Sequence, residues 1–181
     1  PAFRYLTWQS LIRELRQMMQ EESDYRYEAA NLRRMRKLLR RHKVYAPKVF
    51  ERYSSPTVLV MEYIPGVLMS DYLRLERSDP ARVQAWCAEN NVRPRKVGAR
   101  LLLSFYRQLY EDGVFHGDLH PGNIMLLRDS RLALIDFGSI GSMDARAKSV
   151  YRKFSVAIAQ RDFTRAADMY LLLAENLPPF D

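Results

Sequence analysis

The chain has 181 residues, 48% of them hydrophobic, enough to bury one sizeable core and too few for two full domains. Its one cysteine, Cys87, excludes an intrachain disulfide and a paired-cysteine metal site, a usage expected in a reducing compartment. No apolar run reaches the roughly 18 residues that cross a bilayer, and neither an initiator Met nor a signal-peptide core opens the sequence, so a soluble piece of a longer chain is expected.

The net charge of +8 gathers in part between Arg33 and Lys43. Such a run predicts a solvated helix face first, and attraction to anionic lipid head groups or another polyanion second. Aromatic residues are not interleaved with it as stacked bases would require, so nucleic acid is not an expected partner.

In chain order, Trp8, Leu11, Ile12, Leu15, Met18 and Met19 fall at helical spacing behind Thr7, a plausible cap, and predict an amphipathic helix. A second helix is predicted from about Asp24 to His42, with the stripe Tyr25, Glu28, Leu32, Met35 and Leu39. One member of that stripe is a carboxylate. An ionised carboxylate on an apolar stripe is costly unless paired, so Glu28 predicts a buried cationic partner. Its alternative is a place at the stripe's edge, reaching solvent.

Lys48 to Tyr53 and Thr57 to Tyr63 read as two strands of a hairpin across Ser54-Ser55-Pro56, after which Ile64-Pro65-Gly66 breaks the pattern. Helices follow over Ser70 to Leu75, Pro80 to Glu89 and Pro94 to Glu111. The last has a buried face of Val97, Leu101, Leu102, Phe105, Leu109 and Tyr110 and a glycine cap at Gly113. Two more are predicted from Met143 to Gln160 and from Asp162 to Glu175. Strands early and helices late describe an α+β fold.

The chemistry lies in His116-Gly-Asp118-Leu-His120-Pro-Gly-Asn123 and in Asp136-Phe137-Gly138. Between them, Ile124 to Leu127 and Leu132 to Ile135 form a small antiparallel hairpin over the polar turn Arg128 to Arg131. If Leu127 faces Leu132, the same register sets Asn123 opposite Asp136, and opposed residues lie roughly 4.5 to 5.5 Å apart. Two oxygen-bearing side chains there suit one hard cation such as Mg²⁺. Asp118, on a loop that Pro121 and Gly122 force to turn, can stand by to orient a hydroxyl, which completes the equipment of phosphoryl transfer. A transition-metal site at His116 and His120 is the lesser alternative.

These runs resemble the catalytic loop and metal-binding triplet of protein kinases. More closely, Glu22-Ser-Asp24-Tyr-Arg-Tyr-Glu28-Ala-Ala-Asn31, Val60-Met-Glu62-Tyr-Ile-Pro-Gly66 and Gly113-Val-Phe-His-Gly-Asp-Leu-His-Pro-Gly-Asn123 are similar to the UbiB/AarF family of atypical kinases, in family order over nearly the whole chain. The resemblance implies a protein-kinase-like fold, with residues 1–63 a partial N-lobe and 64–181 the C-lobe. It also implies a catalytic set of Asp118 as base with His116, His120 and Glu28, and Asn123 and Asp136 as Mg²⁺ ligands. Glu28 would be the helix glutamate that pairs with an upstream lysine. Met61 would be the gatekeeper, Glu62 and Tyr63 the start of the hinge at adenine, and Glu22 and Asp24 the family's Glu-x-Asp pair.

The implied cofactors are ATP or ADP and Mg²⁺. The implied role is in ubiquinone or isoprenoid-lipid metabolism, with quinone-pathway lipids or proteins as partners, at the cytoplasmic or organellar matrix side of a membrane. Two other functions share the motifs: a small-molecule phosphotransferase of the aminoglycoside or choline kinase type, and a nucleotide-gated pseudokinase scaffold. No lysine precedes Glu28 and no glycine precedes Gly66, so the phosphate-covering loop and its lysine are not in this sequence, and these 181 residues alone are expected to turn nothing over.

Overall fold

The computed structural model describes residues 24–173 together with Ile12. The predicted first helix, and Glu22, lie outside the described residues. Helix α1 spans Tyr25–Arg41, within a residue of the expected bounds, and Asp24 caps it by accepting from the Arg26 backbone N–H at 3.0 Å. Leu32, Met35 and Leu39 are fully buried along its stripe, while Tyr25 at the helix start is exposed.

The segment from Lys48 to Tyr63 is an antiparallel pairing in reduced form. Val49 bridges Met61, and Phe50 and Glu62 donate to Val60 and Lys48 carbonyls. The expected first strand is cut short by a 3₁₀ turn at Glu51–Tyr53. The Ser54 hydroxyl takes over the missing rungs, accepting from the Val60 N–H and donating to the Phe50 carbonyl.

Strand β1 (Val67–Leu68) leads into α2 (Met69–Ser78), which starts one residue early and runs three residues past its predicted end. Asp79 ends α2 and caps α3 (Pro80–Glu89), and prolines open both α3 and α4 (Pro94–Arg107), where a missing N–H costs nothing. Helix α4 then widens into a π turn over Gln108–Asp112, closed by Gly113 at φ 69°. Val97 and Leu109 lie on its buried face as predicted, with Leu101 packed against the core, but the face also takes in two polar residues. Leu102 is 54% exposed, and the inward positions are Val97, Ser104, Gln108 and Leu109. Two polar residues on the inner face broke the apolar signal.

Strand β2 (Val114–His116) pairs antiparallel with β5 (Ile140–Ser142), with His116 against Ile140. Between them, β3 (Ile124–Leu127) and β4 (Arg131–Leu134) form the expected hairpin, and β1 adds to β3 on the far side. The register is one residue away from the expected one: Leu127 faces Arg131 and Leu126 faces Leu132. Asp129 and Ser130 both adopt left-handed φ values, of 60° and 57°, which closes the turn in three residues rather than four. Asn123 therefore faces Ile135, which donates to its carbonyl at 3.1 Å, and Asp136 lies one step beyond.

Helices α5 (Ala145–Ala159) and α6 (Phe163–Leu171) pack on each other, capped by Asp144 and Asp162. The stripe of α1, the β3–β4 hairpin and Phe137 share one core. No helix among the described residues is long and apolar enough to cross a membrane.

Candidate active site

Two loops meet at His116. Its ring is 2% exposed. Nε2 lies 2.5 Å from the Asp136 carbonyl, and Nδ1 is 3.2 Å from the Asp118 N–H. The consistent tautomer carries its proton on Nε2, so the ring donates to one loop and accepts from the other. Burial pushes its pKa below the usual histidine value, which keeps it neutral as both bonds require. The ring also packs against Phe137, 5.4 Å between centroids. Both ring nitrogens of His116 are thus engaged by the two loops, and the residue has little solvent contact.

Gly117 explains why this loop carries no side chain between His116 and Asp118. A Cβ there would stand 2.6 Å from the Ser139 hydroxyl, because the Gly117 N–H bonds the Ser139 carbonyl at 2.9 Å. The close approach ties Asp118 to the segment after Gly138.

From the other side, α1 holds the triplet by its backbone. The Asn31 amide donates to the Phe137 carbonyl at 3.0 Å, and Glu28 Oε1 accepts from the Phe137 N–H at 3.3 Å. Spacing of three puts both on one helix face. Among the described residues Glu28 enters no ion pair, and its partner there is the Phe137 N–H. Its pKa is raised, by burial first and by the Asp136 charge as well, with the Phe137 bond opposing.

The Asn123 amide donates to the Asp118 carbonyl at 3.0 Å, which leaves its oxygen to meet a ligand. Asp136 Oδ1 accepts from the Gly138 N–H at 3.0 Å in a tight turn. Despite the shifted register, Asn123 and Asp136 line one cavity of about 550 Å³ with Met61 and Glu28. Asp136 and Glu28 also line an adjoining cavity of about 700 Å³ with Asp118 and Asp24. The two share Tyr25, Glu28 and Asp136 in their linings, and together they are termed the cleft.

The set offers one amide oxygen and one carboxylate to a cation, and no group of three or more His, Cys, Asp and Glu that could hold a metal occurs among the described residues. That suits Mg²⁺, which keeps waters and phosphate oxygens beside one or two protein ligands, and does not suit a transition metal at the histidines. His120 stands outside with its Nε2 3.7 Å from Asp118 Oδ2, while its Nδ1 accepts from the Gly122 N–H.

The remaining expected residues are placed less centrally. Asp24 is the α1 cap and binds the Arg26 guanidinium, which lowers its pKa, though it also borders the cleft. The Glu62 carboxylate accepts from Tyr45 at 2.7 Å and from the Lys48 N–H at 3.0 Å. Tyr63 is 85% exposed. Sequence reasoning missed Gln108, which is 1% exposed and accepts from the His116 N–H at 3.0 Å. It also gave no role to Asn31.

A model of the ABC1 atypical kinase-like domain matches residues 1–170. The chain belongs to that family. It is 30% identical over 176 residues to a "Probable protein kinase UbiB" of Cronobacter sakazakii, covering 94% of this chain and 30% of that protein. It is 31% identical over 171 residues to the uncharacterised protein slr0889 of Synechocystis, covering 91% of this chain and 40% of that one. The solved complex of Rv3197 with erythromycin from Mycobacterium tuberculosis superimposes with a TM-score of 0.61 at 26% identity, over 92% of this chain and 39% of that one. The ABC1 chain therefore has the expected kinase-like α+β fold and spans well under half of these relatives' length.

Proposed function

We propose that this ABC1 chain carries the metal and acceptor side of an ATP-dependent phosphoryl-transfer site, in an atypical kinase or ATPase. The observation that carries the reading is the His116 bridge, which fixes the Asp118 and Asp136 loops to each other so that both carboxylates and Asn123 open on one cleft. Asn123 and Asp136 would hold Mg²⁺ on the phosphates of ATP or ADP. The ion, when bound, neutralises charge that develops on the transferred group.

Asp118 orients the acceptor hydroxyl or water, and His120 borders it. Glu28 and Asn31 keep the Asp136 turn in place through Phe137. Met61 walls the cleft where the base of the nucleotide would lie, and the chain would pass from a small-lobe portion to the helical lobe between Tyr63 and Ile64. Relatives named UbiB support a quinone-pathway partner.

Because these 181 residues alone are expected to turn nothing over, the test uses the full-length parent protein and separates binding from turnover. Asp136→Asn is expected to lose Mg²⁺-dependent nucleotide binding together with hydrolysis. Asp118→Asn is expected to keep binding and lose about a hundredfold or more in hydrolysis. Hydrolysis by Asp136→Asn at the parent rate would refute the assignment, and a chain that binds nucleotide without any turnover would favour a scaffold.

A further inference from the structure

The basic run divides into two classes in the fold. Arg33 and Arg41 find carboxylates in Glu51 and Asp112, as Arg26 before the run finds Asp24. Arg36, Arg40 and Lys43 take part in none of the ion pairs among the described residues; a spacing of four sets Arg36 and Arg40 on one side of α1, and Lys43 follows just past its end. With Arg100 of α4 and Arg131 of β4 they line a cavity of about 640 Å³ that no carboxylate borders. None of its lining residues is shared with the two cavities of the phosphoryl-transfer cleft.

Three of the guanidinium groups are fixed by one edge only. Arg36 Nε donates to the Ala46 carbonyl at 3.1 Å, Arg100 Nη1 to the Ser130 carbonyl at 2.8 Å, and Arg131 Nε to the Arg128 carbonyl at 3.4 Å. Each keeps further N–H groups for a second, forked contact, the geometry that matches phosphate oxygens. Lys43 holds a left-handed φ of 59°, which a lysine adopts at a cost. Apolar side chains, among them Val44, Ala46 and Leu127, complete the wall.

Five cations with no counter-ion among the described residues repel one another, and a multivalent anion relieves that repulsion more than any monovalent one. We propose that this cavity is a second anion site, separate from the phosphoryl-transfer cleft, for a phosphomonoester or pyrophosphate group carried on an apolar body. The group can come from a soluble phosphate ester or from a phospholipid head group, and its chemistry at the cavity is the same.

The full chain, free of Mg²⁺, is titrated with inorganic pyrophosphate and separately with phosphatidylcholine vesicles that do or do not contain about one fifth phosphatidic acid. The parent is compared with Arg40→Gln/Arg131→Gln and with Lys153→Gln as a control on α5. The double variant is expected to weaken pyrophosphate binding by about tenfold or more, with the control unchanged. If only the acidic vesicles lose affinity in the double variant, the phosphate group belongs to a lipid. Equal binding of both probes by parent and double variant overturns the site. A readout that needs no variant is acylation of Lys43 in the parent: saturating pyrophosphate or acidic vesicles should slow it, and an unchanged rate with both overturns the proposal.

Discussion

Gln108 supports the site from behind. Its amide oxygen holds the His116 backbone, its nitrogen reaches Ser104 at 3.3 Å, and Ser104 meets His42 Nδ1 at 3.4 Å. Replacing Gln108 by Leu removes an acceptor from a buried N–H, a loss of about 1 to 3 kcal/mol. The expected result is a lower urea midpoint and a slower turnover with nucleotide binding retained. An unchanged midpoint would deny the support. At the end of this chain, His42 Nε2 lies 3.2 Å from Asp112 Oδ2 without the alignment of a hydrogen bond.

Burial pushes the His42 pKa below its ordinary 6.5, the Arg107 and Arg41 charges lower it further, and Asp112 and Glu111 oppose them. Between the native and ordinary values the unfolded chain binds the extra proton, so stability rises with pH across that window. The contribution is therefore complete above about 6.5 and is lost as pH falls toward the native value. Urea midpoints measured through this range should fall with pH in the parent and fall less in His42→Gln. Asp118, Asn123 and Asp136 were legible because their chemistry and spacing are rare together. Gln108 and Asn31 were not, because a buried amide that bonds backbone leaves no pattern in sequence.

Among the elements, the turn at the end of α4 was read correctly and its geometry was not. Gly113 was expected as a cap, and its left-handed φ of 69° accords with that; the π turn before it, which carries Gln108 in its first position, has no signal in apolar spacing. Gly113→Ala places a Cβ 3.2 Å from the Met143 carbonyl in a backbone region that alanine disfavours. A destabilisation of about 1 kcal/mol or more is expected, read as a drop in the thermal midpoint. The β3–β4 hairpin has its expected strands at a register one residue away from the expected one. Two short apolar runs fixed the strands, yet the register depended on whether the turn spent three residues or four. Polar residues such as Asp129 and Ser130, able to take left-handed φ, decided it. Asn123 and Asp136 still meet at one cavity because regular pairing stops at Leu134 and Asp136 is free to turn.

Across the whole molecule, the cleft is assembled by parts far apart in sequence: the face of α1 with Glu28 and Asn31, the β2–β5 pair that flanks His116 and Gly138, and the hairpin that ends at Asn123. The α+β class and most helices followed from periodicity, whereas the basic run gave only charge until the fold set Arg100 and Arg131 beside it. The most direct test is a crystal structure of the full chain with Mn²⁺ and a non-hydrolysable ATP analogue, the metal located by its anomalous scattering. One ion is expected about 2.0 to 2.4 Å from both the Asn123 amide oxygen and the Asp136 carboxylate, with phosphate oxygens completing its shell. A nucleotide-bound ion that touches neither side chain would contradict the shared metal site.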